Sequence, residues 1–488
     1  MNGAAVAPPQ GAEAGALARL SAHDMLDGYR RGAFTPSEVI EDVIAALTRT
    51  HGSCNVMVES MFDQARVDAA AATAAWRQGT AGGALAGVPV SIKDLIFVAG
   101  VPARGGAPAL RDFVPQVDAA VVSALRAAGA ILTCKTTTCE SGYKLTADSP
   151  VSGVTRNPWS PDRTSGGSSG GAAAAVAAGC GPLAVGTDGV GSIRVPASFC
   201  GVFGIKPTFG LVPRAPGFFP PSWASLAHTG PIGREVRDVA LLLEVIAGYD
   251  ARDAASLPQP QRRFDASPGS LAGMTIAFSE DLGYAPVDPH VRSAFQDALR
   301  VLVDLGAQLL RDDVGVDSDV LERTLKPIAY TEQAGAVEGR EAAWLAASDA
   351  EYRDVIARGR AYSGVEYIDA MHRRAQLRAQ FLKLFERAHV LVTPTVATTA
   401  FRAGMLGVSE IEGRKVDPHL GWSPFSWPMN LAGLPAATIP CGFDDDGLPI
   451  GLQIVAPWLE EERILRVAAA FEAATASLRR WPSLAILG

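Results

Sequence analysis

The chain has 488 residues, of which 48% are hydrophobic and 19% charged, with both signs interspersed and a net charge of −8. Such a composition buries a large core and excludes an intrinsically disordered chain. The acidic balance, with no stripe of clustered Lys and Arg, excludes non-specific nucleic-acid binding, which needs cations to displace counterions from phosphates. This length fits two or three average domains or one large α/β sheet.

The opening "MNGAAVAPPQGAEAGALARL" lacks a basic segment followed by an apolar one, so it does not resemble a secretory signal, and residues 1–15 read as a disordered lead-in. The longest apolar run, around Gly170 to Gly186, is built of small residues broken by Gly and Pro and cannot supply the roughly 20 strongly apolar residues of a bilayer span. A cytoplasmic protein without membrane contact is expected. Six scattered cysteines, Cys54, Cys134, Cys139, Cys180, Cys200 and Cys441, show no C-x2-C spacing and are expected to be reduced and mostly buried.

In "TPSEVIEDVIAALTR", Thr35 stands as N-cap, Pro36 at the first helical position and Glu38 two residues later, which predicts a helix. The strand-like "GVPVSIKDLIF", the amphipathic "DAAVVSALRAAGA" and the strand-like "ILTCKT" follow in an order that suggests β-α-β crossovers. Later, "MTIAFSE", "HVRSAFQDALRVLVDLGA", "HVLVTPT", "PAATIPCGF", "PIGLQIVAP" and "EERILRVAAAFEAAT" repeat this grammar, some strands being antiparallel. The expected fold is α/β: a large, mixed but mostly parallel twisted sheet covered by helices on both faces. Residues 317–387 read as a helical layer inserted before the sheet resumes. The loop from Gly210 to Pro231 is long, rich in Pro and carries aromatics, as a substrate lid would.

Taken alone, "SGGSSGG" reads as a linker. Its context changes that reading, because the alanines of "AAAAVAA" place the glycines at a helix N-terminus, where free N–H groups and the helix dipole favour a developing anion. Downstream, "PLAVGTDGVGSIRVPA" predicts a strand and a second Gly-rich turn carrying Ser192, so two serines on tight turns can face each other.

Other Ser and Gly motifs fit poorly. "GGSSG" satisfies G-x-S-x-G, but the preceding "NPWSPDRTS" is polar and broken by Pro158 and Pro161 where a nucleophile elbow needs a strand. "GTDGVGSI" has Walker-like glycine spacing without the lysine, and Asp188 opposes a polyphosphate. No histidine lies in either serine turn; His228 is the nearest, and a single loop histidine reads as a solvated polar residue.

Lys93 is a lone lysine in the apolar "VPVSIKDLIF". From this segment alone, an edge or snorkelling lysine paired with Asp94 is the simpler reading. At an ordinary pKa of about 10.4 such a lysine is neutral in about one molecule in several thousand at pH 7. Desolvation by Val90, Ile92, Leu95, Ile96 and Phe97 would make it a usable base, at about 1.4 kcal/mol per pKa unit.

Together "GVPVSIKD", "SGGSSGG", "GTDGVGSIRVPASFCGVFGIKPT", "NLAGLPAATIPCGF" and "GLPIGLQIVAP" resemble the amidase signature family, over about Ala86 to Ala474 and most densely between Asn157 and Gly210. The resemblance implies one domain over 16–488, with the core signature at about 86–240, the helical insertion at about 317–387 and the sheet completed by 389–475. It implies a Ser-cisSer-Lys triad: Ser192 as nucleophile, Ser168 as the bridging serine after a cis bond from Gly167, and Lys93 as base. By the same resemblance the amides of Gly189, Val190, Gly191 and Ser192 form the oxyanion hole, and Ser169 and Arg194 orient Ser168 and the loops. Val190 stands where many members have Gly, and Gly189 where others have a bulkier residue.

The implied activity is hydrolysis of the C–N bond of amides through an acyl-enzyme, without metal or cofactor. Gly142, Tyr143, Phe218, Phe219, Trp223 and Trp427, with Trp422 and Phe425, are expected near the substrate and favour apolar or aryl-bearing small-molecule amides over small polar ones. Esters and carbamates, as for a urethanase, are within reach of the family's chemistry. The alternatives are the amidase component of a tRNA-dependent amidotransferase, whose pattern the helical insertion does not resemble, and a non-catalytic binding protein, against which the retention of Lys93, Ser168 and Ser192 counts. A monomer or homodimer is expected.

Overall fold

In a computed structural model, which describes residues 16–218, 225–258 and 262–482, an 11-stranded sheet organises the chain. In chain order its strands are β1 (Met57–Ser60), β2 (Pro89–Lys93), β3 (Ile131–Thr136), β4 (Leu183–Asp188), β5 (Phe203–Lys206), β6 (His228–Gly233), β7 (Thr275–Phe278), β8 (Gln308–Arg311), β9 (Val390–Pro394), β10 (Ala436–Phe443) and β11 (Pro449–Val455). They lie side by side as β1-β3-β2-β4-β6-β5-β10-β11-β9-β7-β8. The expected lead-in over 1–15 falls outside the described residues, as do Phe219 and Trp223 of the expected lid.

The α/β class is as expected, but the sheet is mostly antiparallel. Four neighbour pairs are parallel, β3 with β2, β2 with β4, β9 with β7 and β7 with β8. The other six are antiparallel. Helix alternation in the sequence suggests crossovers of the kind that joins β4 to β5, which run the same way, through the Arg194–Cys200 helix. It does not report that β6 returns from the following loop to slot between them, antiparallel to both. At β10 and β11 the short turn through Asp444–Leu448, in which Asp444 N–H donates to Leu448 O at 3.0 Å, makes a hairpin with no room for a crossover.

Helices cover both faces. The Gly170–Ala177 and Arg194–Cys200 helices touch each other and pack on β2, β4, β5, β10 and β11, while the Val236–Ile246, Glu461–Ala474 and Pro289–Asp304 helices pack in series on the other side. The Pro36–Cys54 helix begins as its sequence signals, with Thr35 and Glu38 forming a complete capping box. Between β8 and β9 the chain forms the Lys326–Ala336, Glu341–Leu345, Ala350–Ala361 and Gly364–Phe385 helices, which serve as a crossover between these strands. No helix among the described residues is long and apolar enough to cross a membrane. All six cysteines are buried and unpaired.

Candidate active site

The site forms where the parallel strands β2 and β4 end side by side, which is where backbone groups and loops become available to a ligand. Lys93 is the last residue of β2, a strand buried along its whole length. Asp188 ends β4, and the turn through Gly189–Ser192 leads from it into the next helix.

Lys93 is 0% exposed. Its Nζ lies 2.7 Å from Ser168 Oγ, 3.0 Å from Ser169 Oγ, 2.9 Å from Thr187 Oγ1 and 3.4 Å from Thr187 O. No carboxylate among the described residues pairs with it: Asp94 instead sits 3.2 Å from Lys135 and accepts the Arg104 and Gly105 amides. Burial pulls the Lys93 amine down to about 7, Cys139 and Asp188 oppose this, and the Arg214 charge adds to it. About half of such amines are neutral at pH 7, against about one in several thousand for an exposed lysine.

The partners sort the protons of the neutral amine. Ser169 Oγ donates to Thr187 O at 3.1 Å and accepts from Thr187 N–H at 3.2 Å, so toward Lys93 it acts as acceptor. Thr187 O can only accept. With the two amine hydrogens directed to Ser169 Oγ and Thr187 O, the hydroxyls of Ser168 at 2.7 Å and Thr187 at 2.9 Å are left for the lone pair, and Ser168 is the nearer.

Ser168 follows a cis bond from Gly167. With Ser192 it lines one cleft, whose walls include Leu95, Leu110, Gly142, Arg214, Phe218 and Ala227. Ser169 N–H donates to Ser192 O at 3.0 Å, clamping the two serine turns together. Ser192 is 2% exposed, and its hydroxyl makes no hydrogen bond with the described residues. A side-chain carbon on Gly142 would stand 3.5 Å from Ser168 Oγ and 3.0 Å from Leu95, so a bare backbone here keeps the cleft open.

The four amides expected to form the oxyanion hole differ in their partners. The Gly191 N–H donates to Asp188 Oδ1 at 2.8 Å and is spent on its own loop, whereas the amides of Gly189, Val190 and Ser192 have no acceptor among the described residues. Gly191 serves the turn in another way. Its φ of +130° suits glycine, and a side chain there would come within 2.5 Å of Ser426 Oγ, which itself donates to Val190 O at 2.6 Å.

Arg194, fully buried, holds this turn from below. Its Nε and Nη2 donate to Asp188 at 3.0 and 2.9 Å, Nη1 to Ser426 O and Gln453 Oε1 at 2.7 Å each, and Nη2 to Asn430 Oδ1 at 2.6 Å. Burial alone would raise the Asp188 carboxyl, but Arg194, Lys206 and Asn430 hold it well below the usual carboxylate range.

Most of the aromatics expected at the substrate lie elsewhere. Tyr143 is fully buried between Tyr352 and His419, with its hydroxyl 3.4 Å from Asp349. Trp427 is packed in the core with its indole N–H on Leu420 O, Trp422 stacks on Phe199, and Phe425 is fully buried. These side chains face inward because they join the layers. Gly142 and Phe218 do line the cleft. His228 is not a solvated loop residue: it opens β6, is 3% exposed and has Nδ1 3.2 Å from Asp188 O.

Thr187, Ser426, Asn430, Gln453 and Arg214 were not anticipated as parts of the site. Gln453 carried a usable signal as the one polar residue in "PIGLQIVAP"; the others had none, since their roles depend on segments far apart in the chain.

A family model described as Amidase matches residues 38–465. An acylamidase of Rhodococcus erythropolis is 35% identical over 460 residues, covering 93% of this chain and 95% of that protein. A glutamyl-tRNA(Gln) amidotransferase subunit from Synechococcus sp. (strain RCC307) is 34% identical over 481 residues, covering 92% and 96%. Among solved structures, a bacterial aryl acylamidase of the amidase signature enzymes superimposes with a TM-score of 0.87 at 29% identity, over 96% of this chain and 98% of that one.

Proposed function

The chain belongs to the amidase family, and from that premise we propose that it is a serine hydrolase cleaving the C–N bond of small-molecule amides through an acyl-enzyme on Ser192. The observation that carries this reading is the buried, carboxylate-free Lys93 amine, 2.7 Å from the Ser168 hydroxyl that shares a cleft with Ser192. Neutral Lys93 takes the Ser168 proton while Ser168 takes that of Ser192, whose oxygen attacks the carbonyl. The amides of Gly189, Val190 and Ser192 receive the negative oxygen of the tetrahedral intermediate. The C–N bond breaks as the proton returns through Ser168 to the leaving amine; water then adds to the acyl carbon as the relay takes its proton, the C–O bond to Ser192 breaks, the acid leaves and Ser192 regains the proton.

Acyl anilides are the proposed substrate class. Leu95, Leu110, Phe218 and Ala227 offer apolar walls to an aryl ring, and two of the similar proteins are acylamidases. Aryl esters and carbamates present a carbonyl carbon open to the same attack and are proposed as side substrates. A panel of anilides, p-nitrophenyl esters, dicarbamates and short aliphatic amides tests this: turnover of anilides is expected, and turnover confined to the aliphatic amides overturns it.

A second reading, the amidase component of a tRNA-dependent amidotransferase, draws on the 34% identity to a protein of that kind. A pull-down that recovers stoichiometric amidotransferase partners favours it, and an isolated chain active on anilides disfavours it.

Because the relay requires a neutral amine, kcat/KM is expected to rise with pH through about 7 and then level off, since below that value Lys93 holds the proton it must accept. Burial also raises the Glu140 carboxyl to about 7, next to the cleft wall. In a Glu140→Gln variant the limb stays in place if Lys93 sets it; its disappearance there contradicts the assignment.

A further inference from the structure

Arg214 brings a cation to the cleft that nothing in the proposed chemistry consumes. It lines the same cleft as Ser168, Gly189 and Ser192, where no acidic side chain among the described residues contributes to the lining. Its guanidinium lies over the Phe218 ring at 4.6 Å, its Nε is buried without a hydrogen-bond partner, and none of its guanidinium nitrogens makes an ion pair with the described residues.

The two carboxylates nearest in effect are occupied elsewhere. Asp253 accepts the Arg214 and Ala215 backbone amides at 2.6 and 3.2 Å and the Ala255 amide at 3.0 Å. Glu332 accepts from Ser225 and from the Tyr367 hydroxyl. Burial lowers the guanidinium to about 10, so it stays charged at neutral pH. The side chain is only partly exposed, with its Nε buried and unpartnered, and Arg is the side chain whose planar fork fits a carboxylate through two parallel hydrogen bonds.

We infer that Arg214 recognises a carboxylate on the substrate, so that the preferred amides carry an anionic group on the part seated against Phe218. This rests on the amidase reading of the same cleft and adds the missing partner. The apolar walls and the cation together describe an aryl or alkyl amide with a carboxylate, such as an N-acyl-4-aminobenzoate, rather than a wholly neutral anilide. A site built around an unpaired buried donor also rejects the analogue that lacks the acceptor.

The test compares kcat/KM for an N-acyl-4-aminobenzoate, an ω-carboxyacyl anilide and the matching neutral acyl anilide, at pH 9 so that Lys93 is neutral in every variant. In the wild-type enzyme at least one carboxylated substrate is expected to exceed the neutral one by about 10-fold or more, chiefly through KM. In Arg214→Gln that ratio is expected to fall to near one, and in Arg214→Lys to lie between. The ratio within one protein sample is insensitive to the fraction folded. Independently of any variant, 4-aminobenzoate is expected to inhibit the wild-type enzyme competitively at concentrations about tenfold below those of aniline.

A wild-type enzyme without preference, a ratio unchanged in Arg214→Gln, or equal inhibition by the two amines overturns the inference. Ser192-dependent hydrolysis of both substrates at equal rates removes only the role of Arg214. Hydrolysis of neither also removes the amidase reading.

Discussion

Ser192→Ala is expected to lower kcat by about 10⁴-fold or more while leaving stability within about 0.5 kcal/mol of the parent. The loss is large because no other described hydroxyl sits at the end of the relay with the amides of Gly189, Val190 and Ser192 around it. Without the oxygen, the amides and the cleft still bind substrate but no acyl-enzyme forms. Stability is spared because the Ser192 hydroxyl makes no hydrogen bond with the described residues, so its removal strands no buried partner. Steady-state kinetics and urea unfolding check the two halves. Residual activity near that of the parent assigns the nucleophile elsewhere, and a large loss of stability makes Ser192 a structural residue.

Arg194→Ala should do the reverse and act first on the fold. The substitution leaves the Asp188 carboxylate fully buried with only neutral donors, the backbone amides of Gly191, Ile193 and position 194 and the Asn430 side chain. It also strands Gln453 Oε1 and Ser426 O, which Arg194 satisfies. Removing one partner of a buried pair costs about 3–5 kcal/mol, because the other charge stays behind unpaired. Arg194→Lys is expected to recover only part of this, since an ammonium cannot reach all five acceptor oxygens that the planar guanidinium does. Urea unfolding gives the answer directly: a loss under about 1 kcal/mol in Arg194→Ala contradicts the account of how the serine turn is held.

Glycine and serine spacing makes the two serine turns visible in the sequence itself, because tight turns leave a local imprint, while the roles expected of Lys93, Ser168 and Ser192 come from the resemblance to the amidase signature family. The helix after Thr35 is equally legible, since a capping box is contained in four residues. Strand direction is not. Helix alternation records the sense in which consecutive strands run, and β6 entering between β4 and β5 is decided by packing that the local sequence does not encode.

The aromatic residues show the same limit. Tyr143, Trp422, Phe425 and Trp427 have the composition of a binding pocket, but an aromatic side chain joins a core as readily as a cleft, and here the core holds them. Arg214 sits between prolines in a loop with no periodicity, so its meaning emerges only from a cleft that contains no carboxylate to match it. The resemblance implies the Gly191 amide in the oxyanion hole, and that this amide donates to the Asp188 carboxylate beside it is visible only in the folded chain.

The central claim is that Ser192 is the nucleophile of a Lys93-driven relay, and reaction with a fluorophosphonate followed by peptide mass spectrometry tests it most directly. The account predicts a single adduct on the peptide carrying Ser192, absent in Ser192→Ala and strongly slowed in Lys93→Ala, with a labelling rate that rises with pH through about 7. An adduct on another residue, or labelling of Ser192→Ala at the parent rate, contradicts it.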